Sequence, residues 1–297
     1  IHNNIVKSSF DKIRASIRFK HFKKTYDENI LDIKGGLNDV VMNNSPIDID
    51  KLIEGTNEIL TANRNSLQLF DMLHSMRQFD DLTYVHSVNV ALIASILGQW
   101  LKFSEKDIRI LTISGLLHDI GKIMIPNEIL TKPGKLTVAE YNIMKQHVNF
   151  GYEKVKNQNI DIRIKEACLL HHEKCDGTGY PFGLKSDHIP AVAKIIAIAD
   201  VYDAMTSARV YRGALCPFEV IDTMYKDAFT KFEPEYILPF LKNVASSYIN
   251  NDVRLSDGRI GKVVLINENA LSLPIVQCED EFIDLSKTRE LTVSAIL

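Results

Sequence analysis

Apolar positions along most of this chain recur every three to four residues, the spacing that predicts helices. From Ile49 to Phe79 the stripe runs through Leu52, Ile53, Ile59, Leu60, Leu67, Phe70, Leu73 and Met76. The same period predicts helices from Tyr84 to Leu101, Glu105 to Ile120, Thr137 to Lys154 and Asp161 to His172. Three more are predicted from Ala191 to Ser207, Pro217 to Ala228 and Pro234 to Ser247. Their starts carry suitable residues: Ser104 precedes Glu105, Thr137 leads Glu140, and Pro217 and Pro234 suit a first helical turn. The connections Ile125 to Leu136 and Lys174 to Pro190 are long and rich in Gly and Pro, where functional loops tend to sit. Past Asn250 the period changes. Short β-branched runs (Arg259 to Ile266, Leu273 to Gln277, Phe282 to Leu285, Leu291 to Ile296), separated by turns such as Asp257-Gly258, predict a small β appendage.

This pattern divides the chain into an N-terminal helical or linker segment (1–80), a helical domain (81–250) and a β-rich extension (251–297). The first stretch is basic (Lys7, Lys12, Arg14, Arg18, Lys20, Lys23, Lys24) and contains a pair read as flexible, Gly35-Gly36. A basic run of this kind is most often a solvated helix face. A net charge of -3 gives no footprint for duplex nucleic acid. No apolar run is long enough to span a membrane, and residues 1–24 lack a signal-peptide core. Four scattered cysteines (Cys168, Cys175, Cys216, Cys278) without a C-x-x-C pair fit a reducing compartment, so a cytoplasmic location is expected. The chain begins at Ile1 rather than Met, which suggests a fragment with a sensor segment upstream.

The chemistry concentrates in histidines beside carboxylates. A lone helical histidine is more often packed or solvated than ligating, but here five stand together in pattern: His86, His118, His147, His171 and His172. His118-Asp119 ends one apolar helix, His171-His172 ends another, and Asp200 follows the apolar Ile195 to Ala199. Imidazoles and carboxylates emerging at the ends of buried helices are what a metal site in a helical bundle needs. Nitrogen and oxygen donors without thiolate suit iron, manganese or zinc. Six or seven ligands exceed one ion's need, and two ions sharing Asp119 is the economical arrangement.

Several ordered motifs carry a resemblance. They are His86-Ser87-Val88-Asn89-Val90-Ala91, His118-Asp119-Ile120-Gly121-Lys122, Lys132-Pro133-Gly134-Lys135-Leu136-Thr137, His171-His172-Glu173-Lys174-Cys175-Asp176-Gly177-Thr178-Gly179-Tyr180-Pro181 and Asp200-Val201-Tyr202-Asp203-Ala204-Met205-Thr206-Ser207 with Arg209. Over roughly Leu82 to Phe240 the chain resembles the HD-GYP family of cyclic di-GMP phosphodiesterases. The resemblance implies a mainly α HD-type bundle that hydrolyses cyclic di-GMP to linear pGpG, with GMP the alternative end product, by attack of a hydroxide between two divalent ions. Iron or manganese is expected first, with zinc, nickel, magnesium or cobalt behind. It assigns one ion to His86, His118, Asp119 and Asp200, and the other to Asp119, His147, His171 and His172. Lys122 is then placed to neutralise charge at the phosphorus, and Asp203, one turn from Asp200, to orient a ligating imidazole. Gly177 and Gly179 let backbone approach the ligand, Tyr180 offers a ring and a hydroxyl, and Arg209 and Arg212 can fork onto phosphate or guanine.

Two departures sharpen the expectation. Some family members place a Glu one helical turn before the first histidine to hold a third ion; here that position is Leu82, so two ions are expected. Lys174 and Cys175 stand where the family often has Arg and Trp, which leaves pGpG or GMP open as the product; cyclic GMP-AMP stays an alternative substrate because it offers the same phosphodiester. A non-catalytic sensor would be favoured by a missing ligand, and none is missing. The segment before His86 either transmits a signal or forms a homodimer contact.

Overall fold

The fold is seen in a computed structural model describing residues 13–63, 65–76, 82–207, 215–288 and 290–297; side chains at 74 and 82 are outside that description. Arg209, Arg212, Lys7 and Lys12 lie outside the described residues.

Helix α1 (Ile17–Asn43) starts where the Ser16 hydroxyl accepts from Phe19 N–H and stops at Asn44, which takes the left-handed conformation. Gly35-Gly36 sits inside this helix, which corrects the reading of a flexible pair. The helix persists there because Ile33, Leu37, Val40 and Val41 are all buried on one face. The described part of the Ile49–Phe79 stripe holds two helices, α2 (Ile49–Ala62) and α3 (Ser66–Met76), with its end at 77–79 outside the described residues. Asn63 ends the first: its side chain donates back to Ile59 C=O and accepts from Arg18.

Next come α4 (Leu82–Trp100) and α5 (Glu105–Leu117), the latter capped by Ser104 onto Asp107 N–H. A Cβ on Gly115 would lie 2.4 Å from Ala91 Cα, so only glycine lets α5 cross α4 this closely. That crossing brings the His118 ring, three residues on, to 5.3 Å from the His86 ring. After a 3-10 turn (Ile120–Met124) and the single turn α6 (Asn127–Leu130), the expected Thr137-to-Lys154 helix is split into α7 (Val138–Met144) and α8 (His147–Val155). Thr137 and Glu140 form a reciprocal capping box at its start. Helices α9 (Ile162–Leu170), α10 (Ala191–Thr206), α11 (Pro217–Asp227) and α12 (Pro234–Ser247) follow within a few residues of expectation.

The extension is a five-stranded antiparallel sheet in the order β4-β3-β2-β1-β5. Strands β2 (Ile260–Leu265), β3 (Ile275–Cys278), β4 (Glu281–Asp284) and β5 (Val293–Ile296) match the predicted runs, while β1 (Asp252–Leu255) is additional. The sheet does not hang free. Val253, Val263, Val276 and Val293 join one apolar core with the helices, and Ser272 donates to Asp222 of α11 at 3.3 Å.

Candidate metal centre

Three of the chemistry-bearing histidines sit at helix ends with the ring fixed by a backbone carbonyl. His118 follows the last turn of α5, and its Nδ1 donates to Gly115 C=O at 2.7 Å. His147 opens α8, with Nδ1 on Met144 C=O at 2.8 Å. His171 caps α9, with Nδ1 on Ala167 C=O at 3.0 Å. A carbonyl can only accept, so each Nδ1 carries the proton and each Nε2 keeps its lone pair. The three Nε2 atoms converge on one carboxylate, Asp119, which caps the 3-10 turn.

The two oxygens of Asp119 face different ways. Oδ2 lies 3.2 Å from His118 Nε2 and 3.6 Å from His86 Nε2; Oδ1 lies 3.3 Å from His147 Nε2 and 3.8 Å from His171 Nε2. Two groups that could each hold a metal ion result, His86-His118-Asp119 and Asp119-His147-His171-His172, sharing that carboxylate. Asp200 stands against both: Oδ1 is 3.0 Å from His86 Nε2 and Oδ2 is 3.8 Å from His172 Nδ1. Asp203 accepts from His86 Nδ1 at 2.8 Å.

The cluster is short of positive partners in a way that fits divalent cations. His118 Nε2 and Asp119 Oδ1 are buried without a hydrogen-bond partner, which native interiors rarely tolerate. His147 Nε2 and His171 Nε2 face each other at 3.4 Å, both as lone pairs. Burial pushes the pKa of His147 down and that of His171 far down, and drives His172 down to about 3, so these imidazoles stay neutral and free to ligate. Burial also opposes charge on Asp119, yet the His118 imidazole and the Lys122 ammonium beside it hold the carboxyl well below its usual range. Asp200 is held well below that range too, its burial outweighed by the hydrogen bond and charge of His86. At His86 burial is likewise outweighed, here by the hydrogen bonds it donates to Asp200 and Asp203, and the pKa rises to about 9. A cation arriving at the cluster would replace that proton.

Lys122 reaches back to Asp119 Oδ2. Tyr180 stacks on His172, with centroids 4.7 Å apart and planes at 26°, and burial raises its hydroxyl pKa, keeping it a donor. The Tyr180-Pro181 bond is cis, and Gly177 has φ +83°. A Cβ on Gly179 would lie 2.4 Å from Lys174 N, which seats the loop against the end of α9.

Two residues here had no assigned role in the sequence. Glu173, buried, accepts from Phe182 N–H (2.7 Å), Gly183 N–H (3.1 Å) and Leu184 N–H (2.9 Å), and so ties the loop bearing Tyr180 to the histidine pair. A carboxylate directly after paired histidines was the available signal. Lys145 holds Nζ 6.0 Å over the Tyr180 ring, and nothing in the motifs marks it.

Helical bundle and shared carboxylate together define an HD-type metal-binding fold. The HD domain family profile matches residues 54–236, and the chain belongs to that family. It is similar to a cyclic di-GMP phosphodiesterase of Pseudomonas aeruginosa, 36% identical over 203 residues that cover 68% of this chain and 49% of that protein. It is also similar to the 3'3'-cGAMP-specific phosphodiesterase 2 of Vibrio cholerae, 30% identical over 216 residues, 71% of this chain and 40% of that protein. Among solved structures, an HDG"Y"P protein from Bdellovibrio bacteriovorus shares the fold, with a TM-score of 0.56 at 18% identity over 78% of this chain and 74% of that one. The chain spans about half the length of the curated relatives it matches first. No helix among the described residues is long and apolar enough to cross a membrane.

Proposed function

We propose that this chain is a two-metal phosphodiesterase that opens cyclic di-GMP to pGpG and carries part of it on to GMP. The observation that carries the reading is the split of Asp119 between two histidine groups, with His118 Nε2 and Asp119 Oδ1 buried and unpartnered. One ion would be held by His86, His118, Asp119 and Asp200, the other by Asp119, His147, His171 and His172. Bound there, iron or manganese would supply Lewis-acid polarisation of a phosphoryl oxygen and activation of water for in-line attack.

The chain's own groups do the rest. Lys122, anchored on Asp119, offsets negative charge as it builds at the phosphorus. Tyr180, braced on His172, offers a guanine base a ring to stack on and a phosphate a hydroxyl donor. Arg209 and Arg212 remain proposed phosphate or guanine contacts on sequence grounds. The four cysteines are free thiols, which supports a cytoplasmic setting.

Chain purified without metal, loaded anaerobically with iron or manganese and given cyclic di-GMP, should yield pGpG on chromatography. Cyclic GMP-AMP run in parallel ranks the two substrates. Two ions bound with neither dinucleotide cleaved would sink the enzymatic reading and favour a sensor.

Glu173→Gln tests the loop. A glutamine offers one carbonyl oxygen to three N–H donors and turns an NH2 toward another N–H, a loss of about 1–3 kcal/mol. We expect KM for cyclic di-GMP to rise roughly tenfold while kcat changes much less, since no ligand atom moves. An unchanged KM would show that the loop does not depend on this carboxylate.

A further inference from the structure

Tyr26 lies on α1, upstream of the residues matched by the HD profile, and its ring is wholly buried against Phe22. A phenylalanine would fill the same space, yet the hydroxyl is there and donates to Asn89 Oδ1 at 2.5 Å. Asn89, also buried, donates from Nδ2 to Asp203 Oδ1 at 3.0 Å. The other oxygen of Asp203 accepts from His86 Nδ1 at 2.8 Å, and Ser207 adds a bond to Oδ1 at 3.2 Å.

The direction of this chain is set by chemistry. An ionised carboxylate has no proton to give, so the Asn89 amide must turn its NH2 to Asp203 and its oxygen to Tyr26. The Tyr26 hydroxyl is then the donor, and His86 must hold its proton on Nδ1. Nε2 is thereby aimed into the cluster, 3.0 Å from Asp200 Oδ1 and 3.6 Å from Asp119 Oδ2. The relay ends on His86 of one ligand group, and none of its bonds touches His147, His171 or His172 of the other.

We propose that Tyr26 is a positioning residue of the metal centre: through Asn89 and Asp203 it fixes the His86 imidazole, so a helix outside the HD domain sets how tightly one of the two ions is held. The proposal rests on reading the two groups as metal sites. It gives the N-terminal segment a physical line to the chemistry, because any shift of α1 that withdraws the hydroxyl releases Asn89, then Asp203, then the ring.

The test uses the full chain, manganese and a graded chelator, with bound metal read by elemental analysis and unfolding followed on the metal-free protein. Outer partners of a ligating histidine typically govern metal affinity by about 10–100-fold. Tyr26→Phe should therefore lose one ion at roughly tenfold less chelator than wild type, keep the second ion as wild type does, and unfold only a few degrees lower, the effect of one lost buried hydrogen bond. Asn89→Ala should show the same selective loss. The double variant should be no worse than Asn89→Ala alone, because both cut one chain. Wild-type retention of both ions in Tyr26→Phe, equal weakening of both, or additive losses in the double variant would each overturn the relay. Wild-type chain that binds two ions without cleaving cyclic di-GMP overturns the substrate reading and leaves the relay intact. Wild-type chain that binds no ion overturns both.

Discussion

Asp119→Asn protein, loaded with manganese beside wild type, is expected to lose both ions on dialysis and to cleave cyclic di-GMP at least roughly 10³-fold more slowly. The substitution keeps shape and volume, so the effect isolates charge and lone pairs. In the native chain Oδ2 serves His118 and His86 while Oδ1 serves His147 and His171. An amide offers one neutral oxygen, and whichever group receives the NH2 meets N–H bonds where it needs an acceptor. Neutralisation also leaves the partly buried Lys122 ammonium without its carboxylate, which removes the cation from where charge builds. Elemental analysis alongside turnover decides the matter. A variant that holds two ions and retains a tenth of wild-type activity would refute the shared role of Asp119.

How far this centre could be read in advance depended on whether each feature is local. His118-Asp119 and His171-His172 were legible because an apolar helical run stops at each of them, a pattern contained within a few residues. The break between α7 and α8 was not. Apolar spacing continues across it, but the Met144 carbonyl is taken by His147 Nδ1, and His147 must open a new helix to face Asp119. Gly35-Gly36 misled for the opposite reason: local propensity favours a break, and the packing of Ile33, Leu37 and Val41 overrides it. Asn89 sits inside a motif that could be quoted, yet its partner Tyr26 is 63 positions away and on another helix. No periodicity encodes such a pairing; only the packing of α1 on α4 creates it. The sheet was legible as alternating short runs, whereas its seating on α11 depends on contacts of that same distant kind.

Gly121→Ala is expected to cost about 3 kcal/mol or more and to lower the unfolding temperature by roughly 5–10 °C, while Gly151→Ala does far less. The two glycines face each other where the 3-10 turn after Asp119 lies on α8. A Cβ built on Gly121 would stand 1.9 Å from His147 C=O oxygen and 2.5 Å from Gly151 N, both main-chain atoms that cannot rotate away. On Gly151 the nearest atoms would be Gly121 N at 3.3 Å and an Ile120 methyl at 3.4 Å, which a small shift accommodates. The backbone that must yield is the one carrying the chemistry. Pushing the turn off α8 separates Asp119 Oδ1 from His147 Nε2, now 3.3 Å apart, so the ion of the His147-His171-His172 group should be weakened first. Thermal unfolding of both alanine variants, with bound manganese counted in each, tests the asymmetry. A loss in Gly121→Ala no larger than the small one expected for Gly151→Ala would show that the turn can move at little cost, and full retention of both ions in Gly121→Ala would show that its closeness to α8 does not set the geometry of the site.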